Sequence, residues 1–535
     1  MSTVPGAPKG TTRAAARARP PAYIWVPSVA IAIAMLMPPV YLGVRAADAG
    51  TGVFDILLNV RTFDILVRTF ALVGIVTAAC VALGVALAWL TVRTDLPLRR
   101  TFTVLTALPL VIPSYLFARL LVITLGPKGT LQGWLEPLGV ERLPEIFGLP
   151  GAALTLSLLS FPYVLLPVRA ALLRSDPSLE EASRGLGRNG WTTFVRVTLP
   201  MLRPAVVAGA LLVALYTMSD FGAVSLLRYQ TFTWAIYIQY ESLIDRTVAA
   251  ALSLALVTLA LTLLFLESRT RGRAEYFRAS PGAARDAAVV RLGRWRWPAA
   301  GFAAAVVGAS LAAPIAILLF WVVRGLGAGE SPTLLWSNTA NTLYVSVLAA
   351  AVAAAAGIPV AVFAVRYPSA ASGAIERLTY VGFALPGVAV GLAFVFFALA
   401  VAQPIYQTTA LLVFAYVVLF LPAAVGTTQA SLRQVSPRLE EAARGLGKSA
   451  AQAFRLVTLP LLGRGVLAGA ALVLLLTMKE LPATLILAPP GFTTLATSIW
   501  SAETEAFFAR TAMGALLLVL AATPPVLFLV FRERR

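Results

Sequence analysis

Two stretches of this 535-residue chain are near copies of each other. Residues 175–213 read SDPSLEEASRGLGRNGWTTFVRVTLPMLRPAVVAGALLV, and residues 435–473 read VSPRLEEAARGLGKSAAQAFRLVTLPLLGRGVLAGAALV. Matched residues lie 260 positions apart, and the match continues from Thr217–Asp220 to Thr477–Glu480. Similarity at a fixed spacing indicates a duplicated structural unit. The chain is therefore expected to fold as two equivalent halves.

Each copy predicts a pair of short helices around a glycine-containing turn. We call residues 175–200 the first hairpin and residues 435–460 the second hairpin. In the second hairpin, Ser449 and Gln452 have the spacing of a capping box, which favours a helix start there. The Leu-Pro pair at the end of each hairpin is expected to stop the second helix, because proline interrupts helix hydrogen bonding.

The composition around the hairpins is that of a membrane protein. Hydrophobic residues make up 59% of the chain and charged residues 13%, with a mean hydropathy of +0.83, whereas soluble domains carry roughly 25% charged residues. We expect an all-α integral membrane protein with about twelve transmembrane helices, arranged as two parallel six-helix repeats. The expected spans are about 24–44, 67–92, 101–125, 150–173, 203–226 and 247–267, then 299–323, 338–365, 378–401, 408–428, 463–487 and 511–531.

The basic residues predict the orientation of these spans. With both termini in the cytoplasm, the inner segments hold 32 Lys and Arg residues and the outer segments hold 8, as the positive-inside rule requires. The net charge of +19 is then mostly an orientation signal, and no nucleic-acid partner is expected. Both hairpins become cytoplasmic, and a basic linker divides the halves into residues 1–285 and 286–535. Residues 24–44 are expected to remain as an anchor; a cleaved signal peptide, with its usual apolar core of about 7–15 residues, is the alternative.

The residue types in the chain do not predict a catalytic site. The chain has no histidine and one cysteine, Cys80, which excludes a histidine-dependent triad, zinc site or haem ligation supplied by this chain alone. Gly447-Lys448-Ser449 looks like the end of a phosphate-binding loop, but Ala442 stands where the upstream glycine belongs. We predict no catalytic residue, bound metal or cofactor, and expect any ATP to be held by a separate subunit.

Ionisable residues within the spans are functional candidates. Asp220 and Glu480 occupy equivalent positions near the outer ends of two spans. As a pair they could line a central pathway and attract a cation. The alternative is structural, with the carboxylates capping helix ends or pairing with Lys479, Arg228 or Arg119.

Two interpretations fit a single hairpin of this kind: a connector on the membrane surface, or an element that docks into a partner. Loops usually diverge faster than the elements they connect, yet these loops are the best-matched parts of the two halves. That favours two identical partners docked at two equivalent places.

The repeated segment resembles the EAA motif of ABC-importer permeases. Glu181-Ala182-Ser183, Gly187 and Val197-x-Leu199-Pro200 carry the resemblance, and Glu441-Ala442-Ala443, Gly447 and Val457-x-Leu459-Pro460 repeat it. The resemblance implies the type I ABC importer permease fold with both halves fused, in a bacterial inner membrane. It also implies two copies of an ABC ATPase subunit and a periplasmic or lipid-anchored solute-binding protein as partners, besides membrane lipid. The implied ATPase-coupling residues are Glu181, Ala182, Gly187, Leu199, Pro200, Glu441, Ala442, Gly447, Leu459 and Pro460.

The cargo is suggested by two outer-side stretches. Residues 219–243 and 478–505 most resemble ferric-iron importer permeases, which implies iron transport. Thiamine, a polyamine or an oxyanion such as sulfate are the alternatives within the class. A secondary transporter driven by an ion gradient can also have two parallel halves, but the duplicated hairpin argues against it.

Overall fold

The structure is a computed structural model that describes residues 20–47, 50, 52–175, 178–241, 246–270, 289–330, 333–505 and 507–532. The expected domain boundary at residue 285 lies outside these ranges. Within them the regular structure is helical, and an isolated parallel bridge joins Thr94 to Val290. The first half contains α1 Ala22–Ala47, α2 Gly52–Leu57, α3 Val60–Arg93, α4 Arg99–Leu105, α5 Ser114–Leu125, α6 Thr130–Leu135, α7 Leu149–Ser160, α8 Pro162–Arg174, α9 Ser178–Gly185, α10 Gly190–Thr193, α11 Leu199–Ser219, α12 Gly222–Leu226, α13 Phe232–Glu241 and α14 Arg246–Thr270. The second half contains α15 Arg296–Val307, α16 Ala313–Gly327, α17 Thr333–Arg366, α18 Ala370–Ala384, α19 Gly387–Val401, α20 Thr409–Leu432, α21 Pro437–Gly445, α22 Ala450–Ala453, α23 Leu459–Met478, α24 Pro482–Leu487, α25 Leu495–Thr504 and α26 Phe508–Arg532.

Two of the expected spans are broken rather than straight. In the described part of the chain, ten helices are long and apolar enough to cross a membrane, and two further helix pairs qualify together but bend by 98° and 106°. The bends fall within the expected spans 101–125 and 378–401, at Pro113 and Pro386. A proline pushes the residue before it out of the helical region, and both preceding residues have extended backbone, with ψ angles of 123° and 116°.

Each bent pair nevertheless crosses the bundle once. Arg93 at the end of α3 lies beside Glu180 of the first hairpin, and the span α7–α8 also ends at that hairpin. The chain must therefore cross between residues 93 and 149, and the bent pair is the only described candidate there. The same holds in the second half, where Arg366 lies beside Glu440. With each bent pair counted as one crossing, the described residues contain twelve candidate crossings, the number expected.

Both hairpins lie on one face of the bundle. Val290 pairs with the segment after Arg93, donating its N–H to the Arg93 carbonyl at 2.8 Å. From Val290 the chain crosses the bundle twice, through 293–327 and 335–366, and so returns to the same face at the second hairpin. We call this side the hairpin face.

Close helix packing in the first half depends on glycine. A Cβ added at Gly84 of α3 would lie 2.8 Å from the Cβ of Val164, and one at Gly209 of α11 would lie 2.7 Å from the Val164 Cα. Val164 of α8 is therefore held between two glycine surfaces, as small residues allow in membrane helices. The repeated glycine at position 209 owes its place to this junction.

The second half repeats this junction with a smaller central residue. A Cβ at Gly357 of α17 would lie 3.3 Å from the Cβ of Ala424, and one at Gly469 of α23 would lie 2.9 Å from the Ala424 Cα. The same three helices therefore meet in both halves, which is the structural meaning of the sequence repeat.

The two halves are interlocked. Helix α1 packs against α17, α18 and α19 of the second half, with the ring of Tyr41 5.7 Å from that of Phe397. In return, α15 and α16 of the second half contact α4 and α5 of the first. Each half therefore completes its packing with the opening span of the other.

The glycine junction is testable with two substitutions in one helix. Gly84→Leu should lower the free energy of unfolding by about 1–3 kcal/mol, because overpacked cores lose that much. Gly74→Leu on the same helix is the control, since a Cβ there meets nothing within 4 Å. Thermal denaturation of the purified protein in detergent checks both, and equal losses would contradict the junction.

Candidate functional site: the paired hairpins and the buried carboxylates

The first hairpin turns at Gly187, as expected. Its φ angle is +80°, a left-handed conformation that glycine adopts at little cost. The Gly187 N–H donates to the Arg184 carbonyl at 2.9 Å, and the Arg188 N–H donates to the Ser183 carbonyl at 3.3 Å. This pair of bonds is a Schellman motif, which ends α9 in a defined geometry.

The second hairpin makes the same turn. Gly447 has a φ angle of +82°, and the Lys448 N–H donates to the Ala443 carbonyl at 3.2 Å. The capping box expected in this hairpin is confirmed, because Ser449 and Gln452 each bond the other's backbone N–H, at 3.2 and 3.0 Å. The two turns therefore have matching geometry.

The tips of both hairpins are exposed and partly apolar. Leu186 is 81% exposed and Leu446 is 83% exposed. Both leucines therefore offer apolar surface to a partner. Neither leucine was among the residues expected to couple. Among the ten residues expected to couple to the ATPase, three are half-buried at the start of α11 and α23: Leu199, Pro200 and Leu459. The other seven are exposed: Glu181, Ala182, Gly187, Glu441, Ala442, Gly447 and Pro460.

The expectation that each Leu-Pro pair stops the second helix is wrong. The helix continues from the hairpin into the membrane span as residues 190–219 and 450–478. A five-residue π-helical turn precedes each pair, Phe194–Thr198 in the first half and Phe454–Thr458 in the second. Single π turns inside α-helices are known local adjustments, and here they admit proline without ending the helix.

A buried glutamate fastens the first hairpin to the bundle. Glu180 Oε1 accepts a hydrogen bond from the Thr198 hydroxyl at 3.1 Å and lies 3.5 Å from Arg93 Nη2. The same Arg93 nitrogen donates to the Ser175 hydroxyl at 2.5 Å. Glu180 thus turns inward while its neighbour Glu181 faces out.

The second hairpin is fastened in the same way. Glu440 Oε1 accepts from the Thr458 hydroxyl at 2.7 Å and lies 3.3 Å from Arg366 Nη2. Arg366 also donates to the Val435 carbonyl at 3.0 Å. Sequence reasoning missed these residues, although the repeat carried a signal, since Glu180 and Thr198 recur unchanged in the second copy.

Asp220 sits where the first of the two spans after the hairpins breaks. The span expected to reach residue 226 ends at Ser219, and α12 follows. Asp220 is buried; its Oδ1 accepts from the Ala223 N–H at 2.9 Å, and its Oδ2 accepts from the Ser114 hydroxyl. The carboxylate therefore caps the first turn of α12.

Glu480 has the equivalent place in the second half. The expected span to residue 487 ends at Met478, and Glu480 Oε1 accepts from the Ala483 N–H of α24 at 3.1 Å. Gly387 stands where the first half has Ser114, and a Cβ there would meet Glu480 Oε1. The longer glutamate thus fills the space that the serine side chain fills in the first half.

Both carboxylates accept a backbone hydrogen bond at a helix start, and the three cations considered as their partners make other contacts. Lys479 Nζ donates to the Leu110 carbonyl of the first half at 3.0 Å. Arg119 pairs with Glu503 at 2.8 Å, and Arg228 lies over the ring of Phe147. Lys479 is also within electrostatic range of both carboxylates, so ionisable groups from the two halves lie near one another.

Twelve crossings in two interlocked repeats, with matching hairpins on one face, define a two-half permease fused in one chain. The chain belongs to the family described as the binding-protein-dependent transport system inner membrane component, whose model matches residues 80–268 and 353–535. It is accordingly a multi-pass inner-membrane transport protein of the ABC importer class.

Proteins similar to this chain are named for several different cargoes. The chain is 34% identical over 516 residues to the Fe(3+)-transport system permease protein FbpB 2 of Haemophilus influenzae, covering 96% of this chain and 98% of that protein. It is 30% identical to the sulfate transport system permease protein CysW of Escherichia coli, covering 46% of this chain and 85% of that protein. It is 33% identical to the molybdenum transport system permease protein ModB of Escherichia coli, covering 26% of this chain and 60% of that protein.

The exchange of serine and glycine around the buried carboxylates gives a rescue experiment. Gly387→Ser should destabilise the protein by about 1–3 kcal/mol, because its side chain overlaps Glu480. Adding Glu480→Asp rebuilds the Ser114–Asp220 pair of the first half and should recover most of that loss. Thermal denaturation in detergent measures both variants, with Gly373→Ser as a control in open space. A double variant less stable than Gly387→Ser would contradict the equivalence.

Proposed function

We propose that this chain is the permease of an ATP-driven importer, with one ABC ATPase subunit docked on each hairpin. A separate solute-binding protein, periplasmic or lipid-anchored, delivers cargo to the opposite face. The observation that carries the proposal is the pair of matching turns at Gly187 and Gly447, each presenting an exposed leucine on the same face. The hairpin face is then cytoplasmic, as are both termini, in line with the distribution of basic residues.

The proposed cycle couples the hairpins to the two halves. ATP brings the two ATPase subunits together, which moves the hairpins that carry Glu181 and Glu441. The halves then alternate between states open to one side or the other. ATP and the loaded binding protein drive the cycle only by binding one state more tightly than the other.

Ferric iron is the proposed cargo. The support is the alignment with the Haemophilus influenzae Fe(3+)-transport permease over nearly the whole of both chains. Asp220 and Glu480, placed at equivalent breaks in two spans, would line the pathway and attract a cation. The second candidate is an oxyanion such as sulfate, favoured by the CysW similarity and by the positive charge of Lys479 near the two carboxylates.

The hairpin turns provide the first test. Gly187→Val with Gly447→Val forces a β-branched side chain into the left-handed region, which costs roughly 1–2 kcal/mol at each turn. The distorted tips should lower co-purification of the ATPase subunit several-fold, measured by pull-down from membranes that express the whole transporter. Gly373→Val, at a glycine with open space and ordinary backbone, is the control. Wild-type amounts of ATPase on the double variant would refute docking at the hairpins.

The buried carboxylates provide the second test. Asp220→Asn with Glu480→Gln preserves side-chain size while removing both negative charges. ATP-dependent uptake of radiolabelled ferric iron should fall about ten-fold or more, because a cation loses its attracting charges, while ATPase co-purification stays normal. Sulfate uptake measured in parallel distinguishes the second candidate. Unchanged iron uptake would remove the two carboxylates from the pathway.

A further inference from the structure

We propose that two clasps, Arg93–Glu180–Thr198 and Arg366–Glu440–Thr458, lock each hairpin to the end of a long span so that the two move as one body. The proposal rests on the proposed function, since the motion to be carried is that of the docked ATPase. The clasp residues are positioning residues: they touch neither cargo nor ATP. They connect the docking tip with the membrane interior.

Each clasp joins three separate elements at one carboxylate. In the first, Glu180 belongs to α9, Thr198 to the π turn that leads into α11, and Arg93 to the last turn of α3. Since α3 and α11 both pack on Val164 through their glycines, the clasp closes the hairpin end of an already tight helix group. A displaced hairpin must therefore pull on α3 as well as on its own span.

The second clasp has the same construction. Glu440 belongs to α21, Thr458 to the π turn before α23, and Arg366 to the last turn of α17. Helices α3 and α17 are both 34 residues long and both end at the clasp arginine. The longest helices of each half thus receive the hairpin's motion directly.

The burial of the two clasp arginines distinguishes them from arginines that only set the orientation of the spans. An arginine needed only for the positive-inside rule would extend its guanidinium into water, but the Arg93 side chain is 3% exposed and that of Arg366 is 13% exposed. A buried charge is costly unless it is paired, and removing one partner leaves the other uncompensated. The hairpin is therefore not free to slide past the end of its long span.

The first clasp is the tighter one. The Glu180 side chain is 10% exposed against 28% for Glu440. The first hairpin also has an internal bond between the hydroxyls of Ser183 and Thr193 at 3.0 Å, where the second hairpin has Ala443 and Ala453. The first half should accordingly be the more sensitive to loss of its glutamate.

The experiment measures transport efficiency in the assembled transporter. The permease, its ATPase and the binding protein loaded with ferric iron are reconstituted in vesicles, and iron moved per ATP hydrolysed is recorded. Glu180→Gln and Glu440→Gln leave the exposed tips unchanged, so ATPase co-purification should stay near normal. Iron moved per ATP should fall at least about five-fold for Glu180→Gln, the lower end of typical coupling effects, and less for Glu440→Gln. Glu376→Gln on α18 is the isosteric control.

The outcomes are distinguishable. A ratio equal to that of Glu376→Gln, in a transporter that assembles normally, would overturn the clasps while leaving the proposed function intact. If the wild-type transporter shows no ATP-dependent uptake of iron, the proposed function is refuted, and the clasps with it. Where Glu180→Gln fails to assemble, the more exposed second clasp carries the test. In the second clasp, Arg366→Glu should lower the amount of iron moved per ATP, and adding Glu440→Arg should restore it. A double variant that assembles but does not recover this ratio would overturn the proposal.

Discussion

A backbone amide buried in hydrocarbon must find a partner within the protein, because no water is available to it. Most of this chain meets that requirement with uninterrupted helices, but the spans that follow the hairpins break inside the bundle. There, N–H groups in the first turns of α12 and α24 donate hydrogen bonds to the carboxylates of Asp220 and Glu480. The side chains of Asp220 and Glu480 thus satisfy amides at the breaks, so fold and candidate pathway share the same two residues.

Much of the architecture was predictable from the sequence, since it follows from local pattern. Apolar runs gave the crossings, the repeat gave the equivalence of the halves, and Ser449 and Gln452 gave a cap that the structure reproduces. The bends at Pro113 and Pro386 were not predicted, although proline supplies a local signal for them. A run of apolar residues predicts the length of a span but not the direction of its axis. The packing around the proline determines whether the span bends or breaks.

The sequence predicted the exposed residues of the hairpins and the two carboxylates within the spans, but not the pairs that fasten the hairpins. Glu181 and Glu441 were identified through the repeat and lie on the surface. Their inward neighbours Glu180 and Glu440 depend on partners from distant parts of the chain, and no spacing rule connects Arg93 with Glu180. Nothing in the sequence distinguishes an arginine that pairs in the interior from one that only sets orientation. Non-local pairing needs the fold before it can be seen.

The differences between the two halves fall where the proposed partners allow them. Two identical ATPase subunits, as proposed, require two equal docking surfaces, and the hairpins agree in the geometry of the turn and in the exposed leucine at its tip. Under the proposed function a single cargo meets both halves at once, so the interior is under no such requirement. There Ser219 is matched by Lys479, and Ser114 by Gly387. Lys479 reaches across to the Leu110 carbonyl of the first half, an arrangement that a symmetric pair of lysines would crowd with a second positive charge. Fusing the halves into one chain permits that asymmetry, because each side of the pathway can then change alone.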